Sequence, residues 1–312
     1  LVKVIIAGGS GLLGRSISRG LLAAGHEPVV LTRDPGRASA RVPGVRVTAW
    51  DPTVPGDWRA ELGDAGAVVN LAGASIGRWP WTAGRRAELV DSRVGSTRAL
   101  VDAIAALPPE HRPAVLLSAS GTDLYEGRDD TPADETTEPA DTFLSHLVIA
   151  WEAEARKAEA LGVRVVLMRA SPVIAPGAAS LRVEALPVRL FVGGRLGSGR
   201  QWTSWVDVDD VVGLYLLALD APGIHGPINL AAPDVRTQAD FVRALGAVLH
   251  RPVWFPTPAW LIRLVLGQQA TLALGSRRVW PAKALASGYV FKHPRLEQSL
   301  DKAFHGGSAS DV

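Results

Sequence analysis

The stretch that most constrains this chain is VKVIIAGGSGLLGRSISRGLLAAGH, residues 2–26. Its apolar, β-branched opening predicts a buried strand over Val2–Ala7, and the spacing that follows predicts an amphipathic helix over 12–24. Between them stands Gly8-x-x-Gly11-x-x-Gly14. Gly8 lets the chain turn sharply off the strand, Gly11 leaves no Cβ where a pyrophosphate would pass, and Gly14 lets the helix lie close on the sheet. The free N–H groups and positive end of that helix then face the phosphates, with Ser10, Leu12 and Leu13 completing the loop. A glycine triplet alone is a weak signal. A strand before it, an amphipathic helix after it and a second strand at Pro28–Thr32 make a dinucleotide-binding turn the stronger reading over a bare glycine-rich loop.

Further apolar runs at Val45–Ala49, Ala67–Leu71, Ala114–Ser118 and Val163–Met168 read as buried strands, separated in several places by helical patterns at 84–106 and 142–161. In the first of these helices Leu89, Val90, Val94, Leu100, Val101 and Ile104 form one apolar stripe. Strand–helix alternation with continuously apolar strands implies an α/β fold, a doubly wound parallel sheet covered on both faces. After about residue 170 the rhythm changes: a loop, a glycine-rich segment at 191–201, an acidic cluster at Asp207, Asp209 and Asp210, one more short strand in PINLAAP, then a mostly helical stretch punctuated by prolines. The expected organisation is a nucleotide domain of 1–170 plus 206–234, a smaller, mostly helical substrate lobe of 171–205 plus 235–302, and a flexible tail at 303–312. The 312 residues suffice for that division.

Ligands of open α/β sheets sit beyond the carboxyl ends of the strands. The second strand ends in VVLTRD, placing Arg33 where an NAD-binding chain carries a ribose-binding acid. A basic residue there suits a 2′-phosphate, so NADP is expected ahead of NAD, although Asp34 offers a carboxylate to a ribose hydroxyl. Leu71, Ala72 and Gly73 follow another strand, where small residues let a cofactor pass close to the backbone, and Ser118, Ala119 and Ser120 end the next.

Other classes are disfavoured. With 33 basic and 31 acidic residues and no dense Lys/Arg block, a nucleic-acid surface is not expected. There are no cysteines, which excludes disulfides, thiol nucleophiles and Cys-based metal sites, and no metal centre is expected. The most apolar stretch, 257–275, carries Arg263, Gln268 and Gln269 in its middle, which argues against a membrane span. No charged-then-apolar leader precedes the first strand, and a cytoplasmic location is expected.

The glycine spacing, NLAG at 70–73, SAS at 118–120 and GSGRQWTSWVDVDD at 197–210 resemble the extended branch of the short-chain dehydrogenase/reductase superfamily. The likeness is closer to an atypical subgroup, the epimerase family proteins or predicted nucleoside-diphosphate-sugar epimerases. It rests on Asn70–Ile76, Arg78-Trp79, Asp91–Ile104, Phe143-Leu144, Trp151-Glu152, Gly197–Gln201, Ser204-Trp205 and Asp209-Asp210. The resemblance spans nearly the whole chain and implies a Rossmann-like sheet of about seven parallel strands, bound NADP(H), and a substrate cleft under a helical C-terminal domain of unknown function. The chain departs from the subgroup at MRASPVIAPG (168–177) and at GTDLYEG (121–127), where relatives carry paired tyrosines, so substrate choice does not transfer. Arg195, Arg200, Gln201 and Trp202 are candidates for gripping a substrate in the small lobe, with Trp202 and Trp205 able to stack on a flat ligand or to serve as core.

Superfamily chemistry uses a Ser to hold the substrate oxygen, a Tyr to pass the proton and a Lys to lower the Tyr pKa. The three tyrosines, Tyr125, Tyr215 and Tyr289, are followed four residues on by Asp129, Leu219 and His293, so no Tyr-x-x-x-Lys exists. With Glu152 as anchor, the Tyr position falls on Leu144 and the Lys position on Val148. His146 lies two residues from both and should point away. Ser120 keeps the serine position, and Tyr125 is the candidate replacement for the proton donor. The expected function is an NADP(H)-binding epimerase- or oxidoreductase-like protein acting on an unidentified small molecule. The alternative is a regulatory or sensor protein that binds the same cofactor, and either is compatible with a homodimer or a protein partner.

Overall fold

The computed structural model describes residues 1–127 and 130–306. The strands in chain order are β1 (Lys3–Ala7), β2 (Glu27–Thr32), β3 (Arg46–Ala49), β4 (Ala67–Asn70), β5 (Val115–Gly121), β6 (Arg164–Ala170), β7 (Val173–Ile174), β8 (Trp202–Thr203), β9 (Val206–Asp207), β10 (Gly226–Leu230) and β11 (Arg236–Thr237). Seven of them form one sheet in the order β10-β6-β5-β4-β1-β2-β3. Every neighbouring pair in it is parallel. The chain reverses its direction of progress between β1 and β4, which opens a crevice at their carboxyl ends.

The helices on the two faces explain why these strands lack polar alternation. Val4, Ile6, Val30, Val69, Leu117 and Met168 point to one face, under Ile17 and Leu21 of α1 (Leu12–Ala23) and Val211 and Leu214 of α6 (Val208–Asp220). Ile5, Ala7, Val29, Leu31, Val68, Leu116 and Leu167 point to the other. They lie under Leu100, Val101 and Ile104 of α3 (Ala83–Ala105) and Ala155 of α4 (Phe143–Arg156). Successive residues of a strand face opposite sides, so a sheet covered twice needs apolar residues at every position. Burying each such side chain fully contributes about 1.5–3 kcal/mol.

A further apolar cluster lies outside the seven-stranded sheet. Leu181, Ala185 and Val188 of α5 (Ala179–Arg189), Phe241 and Leu245 of α7 (Gln238–Val248), and Leu296 and Leu300 of α11 (Leu296–His305) close around Trp205. The short helices α2 (Pro35–Ser39), α8 (Ala259–Leu266), α9 (Thr271–Leu274) and α10 (Ala282–Ala286) complete the described elements. Two expectations change here. Residues 303–305, expected in the flexible tail, continue α11, because Ala303 and Phe304 carry its apolar face onto the same core; residues 307–312 lie outside the described residues. β5 runs on to Gly121 rather than ending at Ser118, because β6 stays in register with it as far as Ala170. Ser120 is therefore a strand residue, paired with Arg169.

The acidic cluster at the start of α6 fastens the C-terminal segment to the sheet domain. Asp210 accepts from the Tyr289 hydroxyl at 3.0 Å and from the backbone N–H groups of Lys292 and His293 at 2.7 and 3.0 Å. Asp207, Asp209 and His293 bring ligand-type atoms within 4.8 Å of one another. Lys302 Nζ already stands 2.6 Å from Asp207 Oδ1 and 2.5 Å from Asp209 Oδ2, so the cation of this cluster is an ammonium supplied by α11. The apolar stretch 257–275 is broken into α8, a tight turn at Gly267–Ala270 and α9. No helix among the described residues is long and apolar enough to cross a membrane.

Candidate functional site

The crevice between β1 and β4 is a cleft of about 1250 Å³. That exceeds the ~300–1,000 Å³ typical of pockets for small ligands. Gly8, Ser10 and Gly11 line its floor, Arg33 one wall, and Leu71, Ala72 and Gly73 the other. Gly8 has φ +76°, and a Cβ there would lie 3.0 Å from the backbone of Leu71 and Ala72, so the turn and the β4 end touch backbone to backbone. A Cβ on Gly14 would lie 2.3 Å from the Gly9 carbonyl oxygen, which is how closely α1 packs on the loop. Leu12 and Leu13 begin α1; Leu12 packs on the apolar cluster around Trp205, and Leu13 on both that cluster and the sheet-face core.

The start of α1 fits a phosphate. Its N-cap is Gly11, no side chain caps the first turn, and no acid stands in it. By contrast α3, α4, α6 and α7 are capped by the side chains of Thr82, Thr142, Asp207 and Thr237. Uncapped amides at a helix N-terminus, opening on a cleft, are a standing acceptor for an anion.

The wall beyond β2 is cationic. Arg33, Arg37, Arg41 and Arg59 all line the cleft. Asp34, the competing candidate for a ribose hydroxyl, is committed elsewhere: its Oδ1 accepts the Arg37 N–H at 3.0 Å and caps α2. Asp51, at the same wall, has its carboxyl held below the usual range by the hydroxyl and backbone N–H of Thr53 and by the Arg33 charge. The sequence reading missed Arg37. The signal available was Asp34-Pro35, a helix start that places residue 37 on the first turn beside Arg33.

The expected catalytic side chains are placed differently. Ser120 is 6% exposed and its Oγ donates to Glu152 Oε1 at 2.6 Å. Glu152 also accepts two bonds from Arg169, Nε to Oε1 and Nη2 to Oε2, both at 2.7 Å. Arg169 Nη1 donates to the Tyr125 hydroxyl at 2.6 Å, and that hydroxyl donates to Asn229 Oδ1 at 3.1 Å. Tyr125 is 0% exposed. Burial pushes its hydroxyl up to about 12, with the Arg169 charge working against the rise. Burial also works against the Arg169 charge, but the bonds to Glu152 outweigh it and hold the guanidinium above its ordinary value. Both candidates are thus corrected: Tyr125 has no face toward a ligand, and the Ser120 proton is already given to a carboxylate. They belong to one buried chain, Ser120–Glu152–Arg169–Tyr125–Asn229, that ties β5, α4, β6 and β10 together. A charged residue inside the apolar run of β6 was the signal for it.

Leu144 and Val148 are 2% and 3% exposed. Val148 packs in an apolar cluster with Leu124, Tyr125, Leu147 and Trp151. His146 points outward and pairs with Asp141 at 2.9 Å. Ser118 is likewise buried within the sheet, and Ala119 packs on the same cluster as Val148.

The small-lobe candidates hold their own loop. Arg195 Nη1 donates to the carbonyls of Gly197 and Ser198 at 3.4 and 3.0 Å. Gln201 Nε2 donates to those of Leu196 and Ala273 at 2.9 and 3.3 Å. Arg200 is exposed, and its backbone N–H donates to Ser198 Oγ at 3.2 Å. Trp202 donates to Asp130 Oδ1 at 2.7 Å and lies under the Arg278 guanidinium, 4.4 Å from its ring centroid. Trp205 is core, with its indole N–H on the Asp234 carbonyl at 2.7 Å. Of this group only Arg200 keeps its side chain outside these bonds, and the others close the loop on itself.

Comparison with known proteins agrees with this architecture. The profile of the NAD dependent epimerase/dehydratase family matches residues 4–231, and that of a domain of unknown function, DUF1731, matches 257–303. An epimerase family protein of Staphylococcus haemolyticus is 35% identical over 301 residues, 96% of this chain and 98% of that protein. The human epimerase family protein SDR39U1 is 34% identical over 305 residues, 96% of this chain and 98% of that protein. A crystal structure of human SDR39U1 (isoform2) with NADPH superposes with a TM-score of 0.84 at 31% identity, covering 96% of this chain and 98% of that one. The UDP-glucose 4-epimerase of Thermus thermophilus, solved with NAD, has a TM-score of 0.75 at 18% identity, covers 98% of this chain and all of its own, and shares the fold.

Proposed function

The chain belongs to the NAD dependent epimerase/dehydratase family, and on that premise we propose that it binds NADP(H) and works as an epimerase- or oxidoreductase-like protein on a small molecule without a Tyr-Lys proton relay. One observation carries the cofactor reading: the wall beyond β2 presents Arg33 and Arg37, while Asp34 is spent on a helix cap. A guanidinium there favours a 2′-phosphate, and an acid free to bind a ribose hydroxyl would favour its absence. The NADPH held by the similar human protein supports the same reading.

In this account the uncapped first turn of α1 binds the pyrophosphate, and Arg33 and Arg37 bind the 2′-phosphate. Leu71–Gly73 orient the dinucleotide along the strand ends. When bound, the nicotinamide supplies hydride transfer. The buried positions Leu144 and Val148 exclude water and move no proton. Those two positions also favour the second reading, a sensor of NADP(H) with little turnover, because they remove the groups that speed proton transfer in related folds.

The test is thermal unfolding with each cofactor. NADPH at a hundred times its Kd should stabilise the fold by about 2.7 kcal/mol. That is a rise of several degrees in Tm, and NADH at the same concentration should give clearly less. No rise with either cofactor removes both readings.

A further inference from the structure

Among the described residues Arg93 makes no ion pair, and Asp123 is the acid that acts on its charge. Arg93 stands midway along α3 with its side chain turned toward α4 and the ends of β4 and β5. One bond is made, from Nη1 to the Leu89 carbonyl at 3.2 Å, out of the five N–H donors a guanidinium has. Burial pushes it down to about 10, with Asp123 opposing the fall and Arg85 adding to it, so it is charged at neutral pH. Arg93 is half-buried, and a cation partly withdrawn from water is costly unless something compensates its charge.

Its surroundings place it at the missing relay. The guanidinium lies over the ring of Trp151, 5.3 Å from the centroid. Trp151 is three residues beyond Val148, on the same face of α4. A Cβ on Gly73 would lie 3.1 Å from the guanidinium carbon, so the strand end that lines the dinucleotide cleft rests against Arg93. Gly121 closes the other side: a Cβ there would lie 3.7 Å from Val148 Cγ2 and 3.2 Å from Asp123 Oδ2. Asp123 is itself balanced by Arg277, at 3.1 Å, from the C-terminal lobe. Next to it Arg277 Nε and Gln269 Oε1 are buried with no hydrogen-bond partner. Gln269 holds the Ile76 carbonyl at 3.1 Å, three residues past Gly73. The C-terminal segment therefore brings unspent hydrogen-bonding capacity close to Asp123 and to the residues that follow Gly73.

We propose that Arg93 is the anion-binding residue of the substrate site, receiving the paired oxygens of a carboxylate or phosphate on a small-molecule substrate beside the nicotinamide. This rests on the dinucleotide reading of the cleft. It moves the cation of the site from α4, where relatives in the superfamily carry a lysine, to α3. A planar guanidinium grips two oxygens at once, which an ammonium does not.

The experiment is calorimetric titration of the NADPH-loaded protein with oxalate, with inorganic phosphate and with neutral oxamide as control. One or both anions should bind and oxamide should not, and the anion that binds tells carboxylate from phosphate. Arg93→Met should weaken that anion by about tenfold or more, Arg93→Lys should recover part of the loss, and NADPH affinity should stay within about twofold of the parent. Failure of NADPH to bind the parent would count against the dinucleotide reading; the same anions are then titrated into the protein alone. The proposal is overturned if neither anion binds the parent, if Arg93→Met binds it equally well, or if Arg93→Met loses NADPH instead. Should Arg93→Met not fold, Arg93→Gln decides in its place: a loss of anion affinity of about tenfold or more supports the assignment, and parent-like affinity overturns it.

Discussion

Replacing Glu152 by Gln tests the buried chain that replaces the expected catalytic pair. Glu152 gives its two oxygens to Arg169 in a fork with both bonds at 2.7 Å, and takes the Ser120 proton at 2.6 Å. Arg169 is 7% exposed, so it cannot turn to water for a substitute. The glutamine amide would present an N–H₂ group to a donor and leave a buried cation uncompensated, a loss of about 3–5 kcal/mol. For a chain of this size each kcal/mol moves Tm by about 2 °C, so thermal unfolding should show a fall of roughly 6–10 °C. The double variant Glu152→Gln/Arg169→Met removes both charges and should lose less than the two single variants added together, by about 1 kcal/mol or more. NADPH affinity should stay within about twofold of the parent, because the fork lies behind the sheet ends rather than in the cleft. A Glu152→Gln protein that melts within about 2 °C of the parent would refute the claim that this chain carries stability.

Other outcomes follow from the same geometry. Tyr125→Phe leaves Arg169 Nη1 and Asn229 Oδ1 without their partner and should cost about 1–3 kcal/mol in chemical denaturation, with NADPH binding unchanged. Gly14→Ala puts a Cβ 2.3 Å from the Gly9 carbonyl oxygen; it should destabilise by about 1–3 kcal/mol and weaken NADPH, read by fluorescence titration. Burial pushes the Asp209 carboxyl up, but the bonds from Lys302 and His293 outweigh it and hold the carboxyl below its ordinary value. The stability from that pairing is therefore full above the ordinary carboxylate range and is lost as pH falls through the lowered value. Lys302→Met should remove that contribution, and parent and variant melting temperatures should converge on acidification.

Much of the scaffold was legible because its signals are local. The glycine loop, the apolar strands and the two-faced cover follow from Gly8, Gly11 and Gly14 and from runs such as Val2–Ala7, buried from Val4 onward. What was not legible depends on pairing between distant segments. Tyr125 lies a few residues past a strand end, which suggests an open loop, yet Asn229, 104 residues later, holds its hydroxyl inside. The Ser120 position is taken because β6 stays in register beside it and brings Arg169, while α4 brings Glu152 onto its hydroxyl. Arg195 and Gln201 sit where a substrate grip is expected, but in the fold they hold the loop's own carbonyls. Arg93 gave no sign on a helix stripe; its meaning comes from Gly73 and Trp151, which only the packing of α3 on β4 and α4 supplies.

The central claim is that the arginine wall beyond β2 selects NADP(H), and the dissociation constants of NADPH and NADH for the parent and for Arg33→Ala test it most directly. Loss of charge-assisted bonds worth about 1.5–3 kcal/mol should weaken NADPH by roughly ten- to a hundredfold and leave NADH within about twofold. Equal weakening of both cofactors, or no weakening of NADPH, would contradict it.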